Sequence, residues 1–241
     1  MNIPLEVLYE DNHLLIVNKP AGVLSQGDKT GDIAIGEHAK AYIKEKYEKT
    51  GEVFLGVPHR LDRPVSGAII LARTSKALER INKMFRDREI QKTYWAIVKN
   101  KPSRNSGKLT HWVVKDEGRN FVTAYNSPRD ESQRAELAYR VVGELNEHWL
   151  LEVSPLTGRP HQIRVQLAAI GSPIRGDIKY GYSKPNADGC INLHARRIYF
   201  LHPVRKIPVI CVAGLPNNEF WEQFLTLDDF DVKDKDLDYL A

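Results

Sequence analysis

Short apolar runs broken by polar turns mark strands near both ends of the chain, and two stretches of helical periodicity lie between them. Residues 5–9 and 14–18 are apolar and flank Glu10-Asp11-Asn12-His13, the pattern of two strands joined by a turn. Ile35, Ala39, Tyr42, Ile43 and Tyr47 recur on one face, so a helix is predicted from an Asp32 cap to about Tyr47, its Lys-rich side in solvent. Residues 68–72 read as a strand buried on both faces, with Gly67 permitting a turn just before it. Thr74 or Ser75 then caps a helix that turns Leu78, Ile81, Met84 and Phe85 to the core. In the strand 92–99, Lys-Thr-Tyr-Trp-Ala-Ile-Val-Lys, alternation points Tyr94 away from the side that Trp95 faces.

Residues 100–133 are polar, and the pattern predicts loops with short strands at 109–115 and 121–125. Strands of an antiparallel sheet follow at 135–142 and 149–153. Residues 157–171 predict a helix: Pro160 suits a first turn, Ile163, Leu167 and Ile170 share a face, and Gly171 stops it. Arg159, His161, Gln162 and Arg164 crowd polar donors into its start. Arg164 borders the apolar face, as a snorkelling surface residue or as the buried partner of a carboxylate. Strands are expected at 191–200 and 208–213, then a short helix capped by Asn217 or Asn218.

Composition narrows the class. The chain has 241 residues, 42% of them hydrophobic, which suits a globular protein with a sizeable core. The net charge is +4, but residues 227–241 hold six Asp and two Lys, net −4, so residues 1–226 carry +8. A basic body permits a polyanionic partner without proving one. No linker or repeat divides the chain, so one domain at 1–226 with an acidic tail at 227–241 is expected. Cys190 and Cys211 form no metal or redox spacing and read as reduced thiols. No charged-then-apolar leader and no run of membrane-spanning length is present, so a cytoplasmic protein without membrane attachment is expected.

The fingerprints of dinucleotide, nucleoside triphosphate, zinc protease and serine hydrolase sites are missing, and the eight His are scattered, with His194 and His202 read as structural. In Val57-Pro-His-Arg-Leu-Asp62-Arg-Pro, a lone carboxylate sits between Arg60 and Arg63 outside regular helix. Such an Asp is either an ion-paired turn residue or a reacting group. A loop Asp, a strand Tyr and a helix start rich in Arg and Gln suit chemistry on a ribonucleoside. The carboxylate acts on the sugar, an Arg holds it ionised and an aromatic ring stacks on an extruded base. Residue types alone do not select that reaction over another carboxylate-dependent one. Lys19, in Asn18-Lys-Pro-Ala-Gly, is either a phosphate contact or a solvated turn residue.

Segments in order across about 200 residues carry a specific resemblance: N-K-P-A-G at 18–22, H-R-L-D at 59–62 with S-G at 66–67, K-T-Y at 92–94, G-R-P-H-Q-I-R at 158–164, R-G-D at 175–177 with Y-G at 180–181, and L-H-A at 193–195 before H-P at 202–203. The chain resembles pseudouridine synthases of the RluA type. The resemblance implies an α+β fold: a mixed, mostly antiparallel sheet flanked by helices and loops, with a central RNA-binding cleft. It implies isomerisation of uridine to pseudouridine in RNA with no cofactor; ribosomal or transfer RNA is the expected partner, and a monomer without a metal site is expected.

Carried over by position, Asp62 matches the catalytic aspartate, Tyr94 the aromatic residue that packs on the target uracil, and Arg164 the arginine that pairs with the aspartate. Arg60 matches a residue that fills the gap left by the flipped uridine, and Lys19, His59, Arg159, His161 and Gln162 fall among the RNA-binding positions. Two departures stand out. Val65 replaces the Thr or Ser usual before S-G, and the chain starts at its first strand, with no small basic RNA-binding (S4) domain in front. A non-catalytic RNA-binding factor and a nucleoside-cleaving hydrolase are the alternatives; an intact Asp62, Tyr94 and Arg164 set argues against the former, and a base that stays attached to ribose excludes the latter.

Overall fold

In the computed structural model, which describes residues 3–28 and 30–226, the apolar runs become one ten-stranded sheet whose central strands are buried on both faces. The acidic tail at 227–241 lies outside the described residues. Strands β1 (Glu6–Glu10) and β2 (Leu14–Lys19) pair antiparallel around a turn in which Asp11 Oδ1 accepts the amides of His13 and Leu14, each at 2.8 Å. Helix α1 (Ile35–Lys46) follows. Its N-cap is Ala34, without a side-chain bond, so Asp32 is not the predicted cap; it pairs instead with Arg63 at 2.8 Å and braces the loop that carries Asp62.

Next come β3 (Ser66–Ala72), α2 (Ser75–Arg86), with Thr74 Oγ1 accepting the Ala77 amide as its cap, and β4 (Gln91–Val98). The polar stretch after residue 100 is more regular than its composition suggests. It forms β5 (Ser106–Asp116) and β6 (Phe121–Tyr125), and β5 runs beside β7 (Gln133–Leu145), which turns into β8 (His148–Pro155). Helix α3 (Gln162–Ala169), a 3-10 turn at Ile178–Tyr180, β9 (Leu193–Leu201), β10 (Pro208–Val212) and α4 (Glu219–Gln223), capped by Asn218, complete the order.

The strand order is β1-β2-β3-β9-β4-β8-β7-β5-β6, with β10 also on β9. Among the described residues every pair is antiparallel except β3–β9, which joins the two halves of the sheet. That join explains Gly67. It lies inside β3 rather than in a turn before it, at φ +117, and a Cβ there would come within 2.4 Å of Ala195 O and 2.5 Å of its N. The missing side chain lets the strands approach, and next to it Ser66 Oγ bonds His194 Nδ1 at 2.9 Å. Gly67→Ala is expected to destabilise the fold by about 3 kcal/mol through backbone strain and overpacking, read as a lower denaturant midpoint; an unchanged midpoint would contradict this packing.

Alternation in β4 divides the core. Tyr94, Ala96 and Val98 join one cluster with Ile35, Ile69 and Leu167, whereas Trp95 and Ile97 face Leu150, Trp221 and Phe224 on the other side. Val65, the departure from the family pattern, is 2% exposed in the first cluster, so its methyl groups fill core space beneath the Asp62 loop.

Candidate active site

Helix α3 is shorter than its sequence pattern. Residues 157–161 form a turn in which Gln162 Oε1 accepts Thr157 Oγ1 at 2.7 Å and the Arg159 amide at 3.0 Å, and His161 sits at φ 50. This turn aims the first residues of α3 at the loop before β3. Arg164 is thereby buried, not at the surface, and its Nη1 donates to Asp62 Oδ2 at 2.9 Å.

The rest of the Arg164 fork is taken by Asp177, whose Oδ2 accepts Nε at 2.7 Å and whose Oδ1 accepts Nη2 at 2.9 Å. A bidentate bond to a carboxylate that is 1% exposed fixes the guanidinium plane, and so the direction of the N–H offered to Asp62. Burial opposes the charge on Arg164, but the Asp177 and Asp62 contacts outweigh it and raise its pKa. Asp62 remains 30% exposed, and among the described residues its Oδ1 accepts no hydrogen bond. One oxygen is held and the other faces the cleft.

Tyr94 lies at the edge of the same space, 8% exposed, and burial with the Asp62 charge raises its hydroxyl pKa, so it stays neutral. His161 stands on the other flank, with Nε2 3.8 Å from Asp62 Oδ2. Tyr180 Oη accepts the Val122 amide at 3.0 Å and shares a hydrogen bond with His161 Nδ1 at 2.7 Å, which orients the imidazole with Nε2 toward Asp62. Burial lowers the His161 pKa, with Arg164 adding to it and Asp62 opposing it. Asp177 and Tyr180 belong to the R-G-D and Y-G segments, but nothing in residue type or spacing tied them to Arg164 and His161.

Other expected RNA contacts are placed differently. Lys19 is fully buried, its Nζ bonded to Val23 O at 2.8 Å, Pro20 O at 3.0 Å and Arg63 O at 3.4 Å. It is therefore neither a phosphate contact nor a solvated turn residue but a strut beneath the Asp62 loop. Burial brings its pKa down to about 7, against the pull of Cys190 and Asp62. His59 Nε2 accepts the Ile70 amide at 2.9 Å and its ring packs on Phe85. Gln162 is buried, with Nε2 donating to Glu136 O at 2.9 Å. His59 Nε2 and both polar atoms of the Gln162 side chain are thus bonded within the protein, while both residues line the cleft. Arg60 is exposed and Arg159 half-buried, and both line the cleft.

Burial holds His59 and His194 neutral, each with a pKa lowered to about 3. The unfolded chain binds these protons below about pH 6.5 while the fold does not, so stability falls as pH drops from there toward 3. Between pH 7 and 5 the loss is expected to be roughly 2 kcal/mol per histidine. Urea unfolding at the two pH values checks this, and a midpoint that does not move would contradict it.

The cleft above Asp62 has a volume of about 1670 Å³, larger than the roughly 300–1,000 Å³ of a small-molecule pocket. Eleven Lys and Arg line it against three Asp and Glu, a balance that favours an extended polyanion. Among the described residues no cluster of three or more His, Cys, Asp or Glu is arranged to hold a metal, and no helix is long and apolar enough to cross a membrane.

Comparison with known proteins agrees with this geometry. The family model for RNA pseudouridylate synthase matches residues 13–169. The ribosomal large subunit pseudouridine synthase D of Xylella fastidiosa is 33% identical over 231 residues, which cover 90% of this chain and 68% of the relative. The tRNA pseudouridine synthase C of Vibrio cholerae is 29% identical over 240 residues, 92% of this chain and 95% of the relative. The solved structure of human RNA pseudouridylate synthase domain containing 4 superposes with a TM-score of 0.74 at 25% identity, covering 92% of each chain. With its α+β fold and its sequence both matching, the chain belongs to the RNA pseudouridylate synthase family and is a pseudouridine synthase.

Proposed function

We propose that residues 1–226 act as a single catalytic domain, a cytoplasmic monomer that needs no cofactor, and convert particular uridines of ribosomal or transfer RNA to pseudouridine with Asp62 as the catalytic residue. One observation carries this: a carboxylate with one oxygen fixed by a doubly anchored arginine and the other open to a large basic cleft.

The reaction breaks the bond from uracil N1 to ribose C1′, turns the base, and joins C5 to C1′. The C5 proton leaves and N1 gains one, so composition and redox state are unchanged. A carboxylate serves by attacking C1′ or by taking the C2′ proton, and both routes use an ionised oxygen free of other bonds. Arg164 keeps Asp62 charged and oriented. Tyr94 packs on the uracil and attends the proton at C5, and exposed Arg60 fills the space the nucleotide leaves. Extrusion costs a few kcal/mol, least for an unpaired base, so a loop uridine is the expected target.

The relatives' names span large-subunit ribosomal and transfer RNA. Incubating the purified protein with each RNA class from cells lacking the gene, followed by chemical mapping, separates them. Pseudouridine at defined positions in one class is expected. No new pseudouridine in either, or free uracil in the supernatant, would overturn the reading.

A further inference from the structure

Besides Arg60, Arg63 and Arg164 around Asp62, the basic residues lining the cleft fall into two walls with different electrostatics. On the wall formed by β5 to β8 and the turns next to them, two of the cations meet a carboxylate and two are tied to backbone carbonyls. Lys115 pairs with Glu117 at 2.6 Å, Arg140 with Glu152 at 2.8 Å, Lys179 donates to Asn120 O at 3.0 Å, and Arg159 donates to Arg134 O at 3.1 Å. The opposite wall is built by the end of α2, the start of β4 and the middle of β9, and it contributes Arg86, Arg88, Lys92 and Arg197. Among the described residues none of these four pairs with a carboxylate. The nearby Asp87 is taken by Lys83 at 2.8 Å, and neither Asp87 nor Glu89 lines the cleft. Arg86 and Arg88 are exposed, and Tyr199 with Ile210, 43% exposed, supplies flat apolar surface beside them.

The backbone at Arg88 is a second, independent sign. It follows the C-cap of α2 at φ 61, where its amide bonds Phe85 O and the Glu89 amide bonds Met84 O at 2.9 Å. Glycine is the default residue at such a helix end, because a side chain there carries backbone strain. An arginine in this position puts a guanidinium at the cleft mouth at a cost in stability.

The geometry points to this wall, centred on Arg86, Arg88 and Arg197, as the ledge that binds the phosphates of the RNA strand flanking the target uridine. The opposite wall, where Lys115 and Arg140 are ion-paired and Lys179 and Arg159 are tied to backbone carbonyls, offers fewer free charges to a phosphate. This rests on the RNA-substrate reading above and adds the side of the cleft along which the strand runs.

Arg88→Gly tests the ledge, because it removes the charge while giving the backbone its preferred residue. The variant is expected to be at least as stable as the parent. Its affinity for a labelled single-stranded oligouridylate should fall about tenfold at low salt. The slope of log Kd against log salt, measured between about 50 and 200 mM, should shrink by about 0.7, and by about 1.4 with Arg86→Ala added, one single-stranded phosphate contact per residue. With RNA from cells lacking the gene as substrate, the loss should fall on KM rather than kcat. Lys115→Ala on the opposite wall should shift the slope much less. A stable Arg88→Gly variant with the parent's slope and affinity would overturn the ledge, as would an equal effect from Lys115→Ala. The binding arm needs no turnover, so a protein that forms no pseudouridine would refute the proposed reaction and still leave the ledge decided by its salt slope.

Discussion

Asp62→Asn is expected to abolish turnover, lowering kcat by about 10⁴-fold or more, the scale seen when a reacting side chain is removed. The substitution is nearly isosteric. The amide oxygen still accepts the Arg164 N–H, and the site is 30% exposed, so folding and RNA affinity should stay close to those of the parent. Only the charge and nucleophilicity of the free oxygen are lost. Single-turnover formation of pseudouridine, measured with RNA in excess of its Kd, reads that loss directly. Activity within tenfold of the parent would place the chemistry on another group.

Arg164→Ala should be nearly as damaging, by a different route. Two carboxylates depend on this guanidinium, and Asp177 is 1% exposed. Removing one partner of a buried pair strands the other charge, at about 3–5 kcal/mol of stability. Because lost folding also lowers activity, Arg164→Lys is the sharper variant. An ammonium keeps a positive charge in place but cannot offer a fixed fork to Asp177 together with a third N–H to Asp62. It should retain more stability than Arg164→Ala and yet lose about 10²-fold in kcat, the scale of a misdirected catalytic group. Near-normal kcat in Arg164→Lys would show that charge alone, rather than the anchored geometry, is what Asp62 requires.

Much of the fold was legible because strands buried on both faces leave plain apolar runs. Residues 14–18 and 68–72 fall within β2 and β3, and alternation separated Tyr94 from Trp95 correctly. The strand expected at 121–125 is β6 with the same bounds, whereas β5 runs past the expected 109–115 at both ends, where the residues are largely polar and regularity comes from pairing with β7 and β6 rather than from local pattern. The start of α3 was over-read. Pro160 and the apolar spacing suggest helix, but the Gln162 side chain reaches back to accept from Thr157 Oγ1 and the Arg159 amide and holds a turn there.

For the site, the motif segments identified Asp62, Tyr94 and Arg164, and the structure brings the three elements that carry them around one cleft. What local pattern cannot show is the anchoring. Asp177 reaches Arg164 only because the chain turns at Gly176, φ +83, where Asn186 and the Cys190 carbonyl leave no room for a Cβ. Lys19 looked like a surface cation for the opposite reason. A Lys in a Pro-Gly turn is usually solvated, but here the turn folds its own Pro20 and Val23 carbonyls onto the ammonium and the 57–65 loop closes over it with the Arg63 carbonyl.

Asp62-dependent formation of pseudouridine is read by mapping the modification chemically across all RNA from three otherwise identical cell lines: one with the gene, one without it, and one carrying only Asp62→Asn. One or more uridines, in ribosomal or transfer RNA, should be modified in the first line and unmodified in the other two. Identical maps in the first two lines, or full modification restored by Asp62→Asn, would contradict catalysis by Asp62.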